Sequence, residues 1–129
     1  MKKTKVLNSE MSSVISKMGH TQTLTIGDAG LPIYNGVQRI DLALTHNIPT
    51  FMQTLEIVLE ELCVERVILA EEIKTINPIL DAELQKKFAD ISYVPHSEFK
   101  ELTKSSEAVI RTGETKAYAN IILCAGVVF

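Results

Sequence analysis

Apolar positions along this chain recur at two spacings, one of three to four residues and one of two, and the switches between them mark the elements. Met11, Val14, Ile15 and Met18 fall at i, i+3, i+4 and i+7, the spacing that lines one face of an α-helix. Asn8 or Ser9 is available as N-cap and Gly19 as the residue just past the C-terminus, so the first segment is predicted to be an amphipathic helix. From Thr21 to Gly27 the chain is rich in β-branched residues, with Leu24 and Ile26 on one face of a short strand. Asp28-Ala29-Gly30-Leu31-Pro32 can neither continue that strand nor start a helix cleanly, which sets Asp28 at a strand's C-terminal edge. Val37 to Leu44 reads as a second strand. Thr50 and Gln53 have capping-box spacing, and Phe51, Leu55, Val58, Leu59 and Leu62 form the apolar stripe of the helix that follows.

Arg66 to Ala70 is a short, almost wholly apolar run of the kind found in strands covered on both faces. Asn77-Pro78 supplies an N-cap followed by proline at N1, after which Leu80, Leu84 and Phe88 mark another helix. Ile91 to Val94 is predicted as a strand, Ser97 to Lys104 as a short helix, and Ala108 to Ile110 and Ile121 to Cys124 as two further strands. Strands alternating with short helices imply an α/β layered fold in which helices flank a mostly parallel central sheet. No linker, repeat or low-complexity stretch divides residues 1–129, so one domain is expected.

Composition narrows the functional classes. A hydrophobic share of 46% and a charged share of 22% are those of an ordinary globular domain. The net charge of −3 offers no footprint for a phosphate backbone, so nucleic acid is not expected as a partner. No apolar run approaches the roughly 20 residues of a membrane span, and the start lacks the apolar core of a signal peptide. Cys63 and Cys124 stand far apart with no CxxC motif, as free thiols do in a reducing compartment, which favours the cytoplasm. A metal set built from His20, Asp28, His96 and Glu71 or Glu72 is conceivable, yet no ligand pair has HxxxH or CxxC spacing, so no metal is expected. A nucleophile elbow, a Walker loop and a dinucleotide-binding glycine fingerprint are absent.

Several polar residues fall in loops, where side chains reach ligands rather than fill cores. His20 follows a helix-ending glycine, where a histidine commonly complements the helix C-terminus; its near-neutral titration also suits proton transfer. Asp28 is either a turn carboxylate bonding its own backbone or a ligand contact at a strand's C-terminal end. His96 follows Pro95 before a short helix, where it can cap the helix or lie exposed. His46 reads as surface, and Glu71-Glu72 as a solvated pair at a strand end. Arg111 and Glu114 read as a structural pair orienting a loop.

The motifs Gly19-His20-Thr21, Asp28-Ala29-Gly30-Leu31-Pro32, Arg111-Thr112-Gly113-Glu114 and Tyr118-Ala119-Asn120, in this order and register, resemble those of the ribose pyranase and fucose mutarotase family. Gly30-Leu31 resembles the ribose branch, and Gly27 stands where alanine is more usual, a change expected to matter little. The resemblance runs from the opening Lys-Val-Leu-Asn-Ser to Phe129. It implies an isomerase that opens and recloses free D-ribose without a cofactor, converting pyranose to furanose, with His20 as proton donor. Asp28, His96, Tyr118, Ala119 and Asn120 would hold the sugar, with Lys100 a weaker candidate. It further implies a homodecamer of two stacked pentameric rings in which Tyr118 and Asn120 approach His20 of a neighbouring copy. The alternatives are the same chemistry on another sugar such as L-fucose, and a non-catalytic ribose-binding accessory protein.

Overall fold

The computed structural model describes residues 1–129. Its first helix, α1 (Ser9–Lys17), starts where the Asn8 side chain accepts the Met11 N–H at 2.9 Å, and it buries Met11 and Val14. Gly19 does not end it in a left-handed conformation as expected: the cap is Met18, extended, and the positive φ of the turn falls at Thr21 (70°). The chain therefore leaves α1 extended and turns at His20 and Thr21, where the Gln22 N–H donates to the Gly19 carbonyl at 3.2 Å, into β1 (Thr23–Gly27). The predicted second strand is shorter than its apolar pattern, β2 (Gln38–Asp41), and α2 (Phe51–Leu59) opens on the full Thr50/Gln53 capping box. Phe51, Leu55 and Val58 form the buried stripe of α2, Leu62 is buried just past its end, and Leu59 is half-buried.

The chain continues through β3 (Val64–Ala70), α3 (Ile73–Ile76), α4 (Pro78–Lys87), β4 (Ile91–Val94), α5 (His96–Leu102), a 3-10 turn (Thr103–Ser105), β5 (Ala108–Arg111) and β6 (Ile121–Ala125). A single turn such as α3 is too short to carry a periodicity, so the apolar pattern does not reveal it. Pro78 occupies the first turn of α4, but Asn77 makes no side-chain cap. Its Nδ2 instead donates to the Ala117 carbonyl at 3.1 Å and ties α4 to the loop before β6.

The six strands form one sheet in the order β2-β5-β1-β6-β3-β4. Three pairings are parallel (β2/β5, β5/β1, β3/β4) and two antiparallel, both made by β6, so the sheet is mostly parallel. Alternate residues of β6 face opposite layers. Ile121 and Leu123 join the large cluster that contains Leu55, Val58 and Leu84, whereas Ile122 joins Leu31, Phe99 and Val109. Apolar cover on both faces explains why Arg66–Ala70 and Ile121–Ala125 read as near-continuous hydrophobic runs. No helix is long and apolar enough to cross a membrane.

The direction of β6 positions the chemistry. Because it runs against β1, its start (Ile121 opposite Ile26) lies at the C-terminal end of β1, and its last residues lie at the N-terminal end (Cys124 opposite Thr23). Residues before β6 therefore meet Asp28, and residues after it meet the turn at His20.

Candidate active site

A cavity of about 560 Å³ opens at the C-terminal end of β1, within the ~300–1,000 Å³ usual for small-molecule sites. Its polar wall includes Asp28, His96, Tyr118, Asn120, His46 and Glu114. Asp28 and Asn120 make a two-way clasp: the Asp28 N–H donates to Asn120 Oδ1 at 2.8 Å, and Asn120 Nδ2 donates to Asp28 Oδ2 at 3.0 Å. These two bonds assign the amide orientation, since the oxygen must face the N–H and the nitrogen the carboxylate. Asp28 Oδ1 accepts the Gly30 N–H at 2.9 Å. The turn reading of Asp28 holds, because it bonds its own backbone, and the same residue also lines the cavity. Asn120 is only 1% exposed and its amide is committed to Asp28.

The loop from Asp28 to Leu31 is closely packed. A Cβ added at Gly27 would lie 2.5 Å from Leu31 Cδ2 and 3.1 Å from Asn120 Oδ1. Contrary to the expectation of a neutral change, an alanine there must displace Leu31 before it fits. Thr112 donates both its N–H (3.0 Å) and its hydroxyl (2.8 Å) to the Gly27 carbonyl, and Arg111 Nε donates to the Ala29 carbonyl at 3.0 Å.

Arg111 and Glu114 support the site as expected, though not by pairing with each other. Arg111 Nη1 bonds both oxygens of Asp41 at 3.2 and 3.1 Å. Glu114 is buried and accepts the N–H groups of Phe51, Thr115 and Lys116 at 3.3, 3.1 and 3.0 Å. Phe51 opens α2, so this carboxylate sits where the helix dipole favours an anion and fastens the cavity loop to the helix.

His96 starts α5, with its ring edge-on to Tyr118 (centroids 5.0 Å) and stacked over Phe99 (6.1 Å, 17°). Burial, and then the Lys100 ammonium, lower its titration below the usual histidine range, against a smaller opposing pull from Glu72 and Asp28. The neutral imidazole is therefore the resting form near pH 7. Nδ1 is buried without a partner, and the residue lines the cavity. An orphaned buried N–H is rare, so we assign the ring proton to Nε2, where it can donate to a ligand oxygen. Tyr118 holds a left-handed backbone (φ 59°), an uncommon state for a non-glycine residue that concentrates at functional sites.

The remaining residues fall in different places. Ala119 is 1% exposed and packs into the core beneath the cavity. Lys100, on α5, is not part of the cavity wall and acts on His96 through its charge. His46, read as surface, is exposed but lines this cavity. Its turn is held by the Asn47 side chain, which accepts from the N–H and hydroxyl of Thr115 at 3.1 and 2.9 Å. Glu72 is no solvated bystander: both its oxygens accept the His96 N–H, at 3.1 and 3.0 Å. Neither contact had a signal in the sequence, because each joins segments more than 20 residues apart. No group of three or more His, Cys, Asp or Glu side chains is placed to hold a metal ion.

His20 is not in this cavity. It lies before the N-terminal end of β1, 52% exposed, with Nε2 2.9 Å from Glu65 Oε2. A five-residue strand spans ~16 Å, so β1 alone holds His20 and Asp28 of one chain at opposite edges of the sheet.

A family model described as the RbsD / FucU transport protein family matches residues 1–128. A D-ribose pyranase of Salmonella arizonae is 54% identical over 139 aligned residues, covering all of both chains. The structure of Bacillus subtilis RbsD complexed with D-ribose is 47% identical, with a TM-score of 0.97 over all of both chains. A fucose mutarotase from Streptococcus pneumoniae in complex with L-fucose is more distant, 25% identical with a TM-score of 0.78, again covering both chains fully. The chain belongs to the RbsD / FucU transport protein family.

Proposed function

We propose that this protein is an isomerase with D-ribose pyranase activity, interconverting the pyranose and furanose forms of free D-ribose. The observation that carries the reading is the cavity wall that joins the Asp28–Asn120 clasp to the His96–Tyr118 pair. Sugar hydroxyls need donors and acceptors together, and an aromatic body to cover the C–H face of the ring. Here Asp28 accepts, His96 Nε2 donates, and Tyr118 offers both a ring and a hydroxyl. The full-length likeness to D-ribose pyranases supports the same substrate.

The reaction needs a proton on the ring oxygen as one leaves the anomeric hydroxyl, which gives the open aldehyde; attack by a different hydroxyl then closes the other ring. His20 is the general acid in this reading, and Asp28, His96, Tyr118 and Asn120 fix the sugar and limit which hydroxyl re-attacks. Proton transfer and positioning of this kind contribute about 10²–10⁴-fold, enough for a reaction that already runs in water. Since His20 and the cavity of one chain stand at opposite edges of the sheet, a complete site requires His20 of a second copy. A pentose fills only part of the cavity, which leaves room for that side chain. The exposed apolar end, Val127 (43%), Val128 (88%) and Phe129 (102%), is surface that such an assembly would cover. We take it to be a decamer of two pentameric rings.

Magnetisation-transfer NMR on D-ribose is the test. Catalytic amounts of protein should accelerate exchange between the pyranose and furanose signals. Binding by calorimetry without faster exchange would replace the enzyme by a binding protein, and faster exchange of L-fucose alone would move the substrate.

A further inference from the structure

We infer that Glu65 is a positioning residue for the reaction: its carboxylate holds Nε2 of His20 and leaves Nδ1 as the atom that transfers the proton. The inference rests on the reading of His20 as the general acid. It starts from the contact itself, His20 Nε2 to Glu65 Oε2 at 2.9 Å.

Three backbone features converge on this contact. In the β3–β6 ladder, Val64 pairs with Ala125 and Arg66 with Cys124, so Glu65 is the extra residue of a bulge. A bulge re-aims the side chain it carries, and this one directs Glu65 toward the turn after α1. Across the ladder, Gly126 leaves the space that Glu65 uses: a Cβ there would sit 3.1 Å from Glu65 Cβ and 3.4 Å from Glu65 N. On the other partner, the turn at His20 is docked to the same strand end by Thr21, whose N–H donates to the Ala125 carbonyl at 2.9 Å. Thr21 makes that bond from a left-handed backbone (φ 70°), an outlier for a β-branched residue. Exposed ion pairs by themselves stabilise little, so stability is a poor account of a bulge, a bare glycine and a left-handed threonine meeting at one.

The chemistry follows from which nitrogen is engaged. With Nε2–H given to Glu65, a neutral His20 carries a lone pair on Nδ1, and the doubly protonated ring carries its transferable proton there. The carboxylate fixes the orientation of the ring, as a carboxylate does for a catalytic histidine elsewhere. In ring opening, the Nδ1 proton passes to the ring oxygen, and the bond between that oxygen and the anomeric carbon breaks with its electron pair going to the oxygen. The anomeric hydroxyl proton passes to water as the carbonyl forms. His20 then recovers its proton on Nδ1 during reclosure.

The test uses the full chain with Glu65→Ala, Glu65→Gln and His20→Ala variants. Ribose exchange is followed over a range of ribose concentrations, with ¹⁵N-histidine NMR of the same proteins and light scattering for assembly. His20→Ala identifies the His20 signals. In the wild type the ¹⁵N shifts should report the neutral tautomer protonated at Nε2, and in Glu65→Ala a tautomer mixture. The kcat of Glu65→Ala should fall at least tenfold with KM within twofold and assembly unchanged, and Glu65→Gln should fall between. An unaltered His20 tautomer, an unaltered kcat, or a loss confined to KM or accompanied by dissociation overturns the inference. If the wild type does not accelerate exchange, the pyranase reading fails instead, and the tautomer measurement still decides whether Glu65 orients His20.

Discussion

Asn120→Asp isolates the Asp28–Asn120 clasp, because it keeps the size of the side chain and the oxygen that accepts the Asp28 N–H. It replaces the Nδ2 donor by a second oxygen facing Asp28 Oδ2 at what is now a 3.0 Å hydrogen bond. The hydrogen bond lost has a charged acceptor, worth about 1.5–3 kcal/mol. The like charge gained adds repulsion with a ceiling of roughly 5 kcal/mol at this distance and an effective dielectric of ~20, reduced because Asp28 is partly open to solvent. Asp28 is expected to relieve the repulsion by swinging away from the place in the cavity wall where it is proposed to hold the sugar. The loss of the bond alone then predicts a ribose Kd at pH 7 raised roughly 10- to 100-fold, at about 1.4 kcal/mol per tenfold. On acidification toward pH 5 a single proton shared by the two carboxyls re-forms the bond, so the penalty relative to wild type at the same pH should shrink. Calorimetric titration with D-ribose at the two pH values measures both effects. A Kd within twofold of wild type at pH 7, or a penalty that does not diminish at pH 5, would refute the argument that Asn120 acts by holding Asp28.

His20→Ala should reduce ribose exchange by about 10²–10⁴-fold while leaving the melting temperature and most of the sugar affinity, since the ring is 52% exposed and outside the cavity of its own chain; a folded variant with near-normal turnover would falsify the assigned role. For His96, NMR of the ring protons should give a midpoint below the ordinary histidine value, raised in Lys100→Met, and a midpoint at or above 6.5 contradicts the burial argument. Its sign for stability follows: the folded state binds fewer protons than the unfolded state between the two pKa values, so this contribution is full above pH 6.5 and is lost as pH falls through the folded pKa. Gly113→Ala should lower stability by about 1–3 kcal/mol, because a Cβ there would lie 2.6 Å from the Ile48 carbonyl oxygen and 2.7 Å from its nitrogen; an unchanged melting temperature speaks against it.

Elements with a strong local signal are legible in the sequence. The Thr50/Gln53 box needed only three residues of spacing and is present as read, and the apolar run at Ile121 is a fully buried strand. Boundaries drifted where the pattern outlasts the ladder: Val37 and Leu42 to Leu44 are apolar, yet only Gln38–Asp41 pairs with β5. Gly19 shows the limit of residue-type rules, since the positive φ fell two residues later, at Thr21, where docking onto Ala125 outweighed intrinsic preference. The site was legible where loops end at one sheet edge, as with Asp28 and Asn120. The roles of Glu72, His46 and Glu65 were not, because each depends on a bond between segments far apart in the chain, and no periodicity encodes such a bond.

The place of β6 bears on how the protein comes to be folded at all. It is the last strand to be synthesised, yet it hydrogen-bonds to both β1 and β3 and joins the two parallel groups into one sheet. Until it arrives, a nascent chain exposes the open edges of β1 and β3, which are templates for pairing with other chains. Such long-range pairing is slow and exposes intermediates to aggregation. Completion of the sheet must therefore wait until β6 has been made, and a chain cut before Ile121 should accumulate as aggregate rather than as a smaller folded domain.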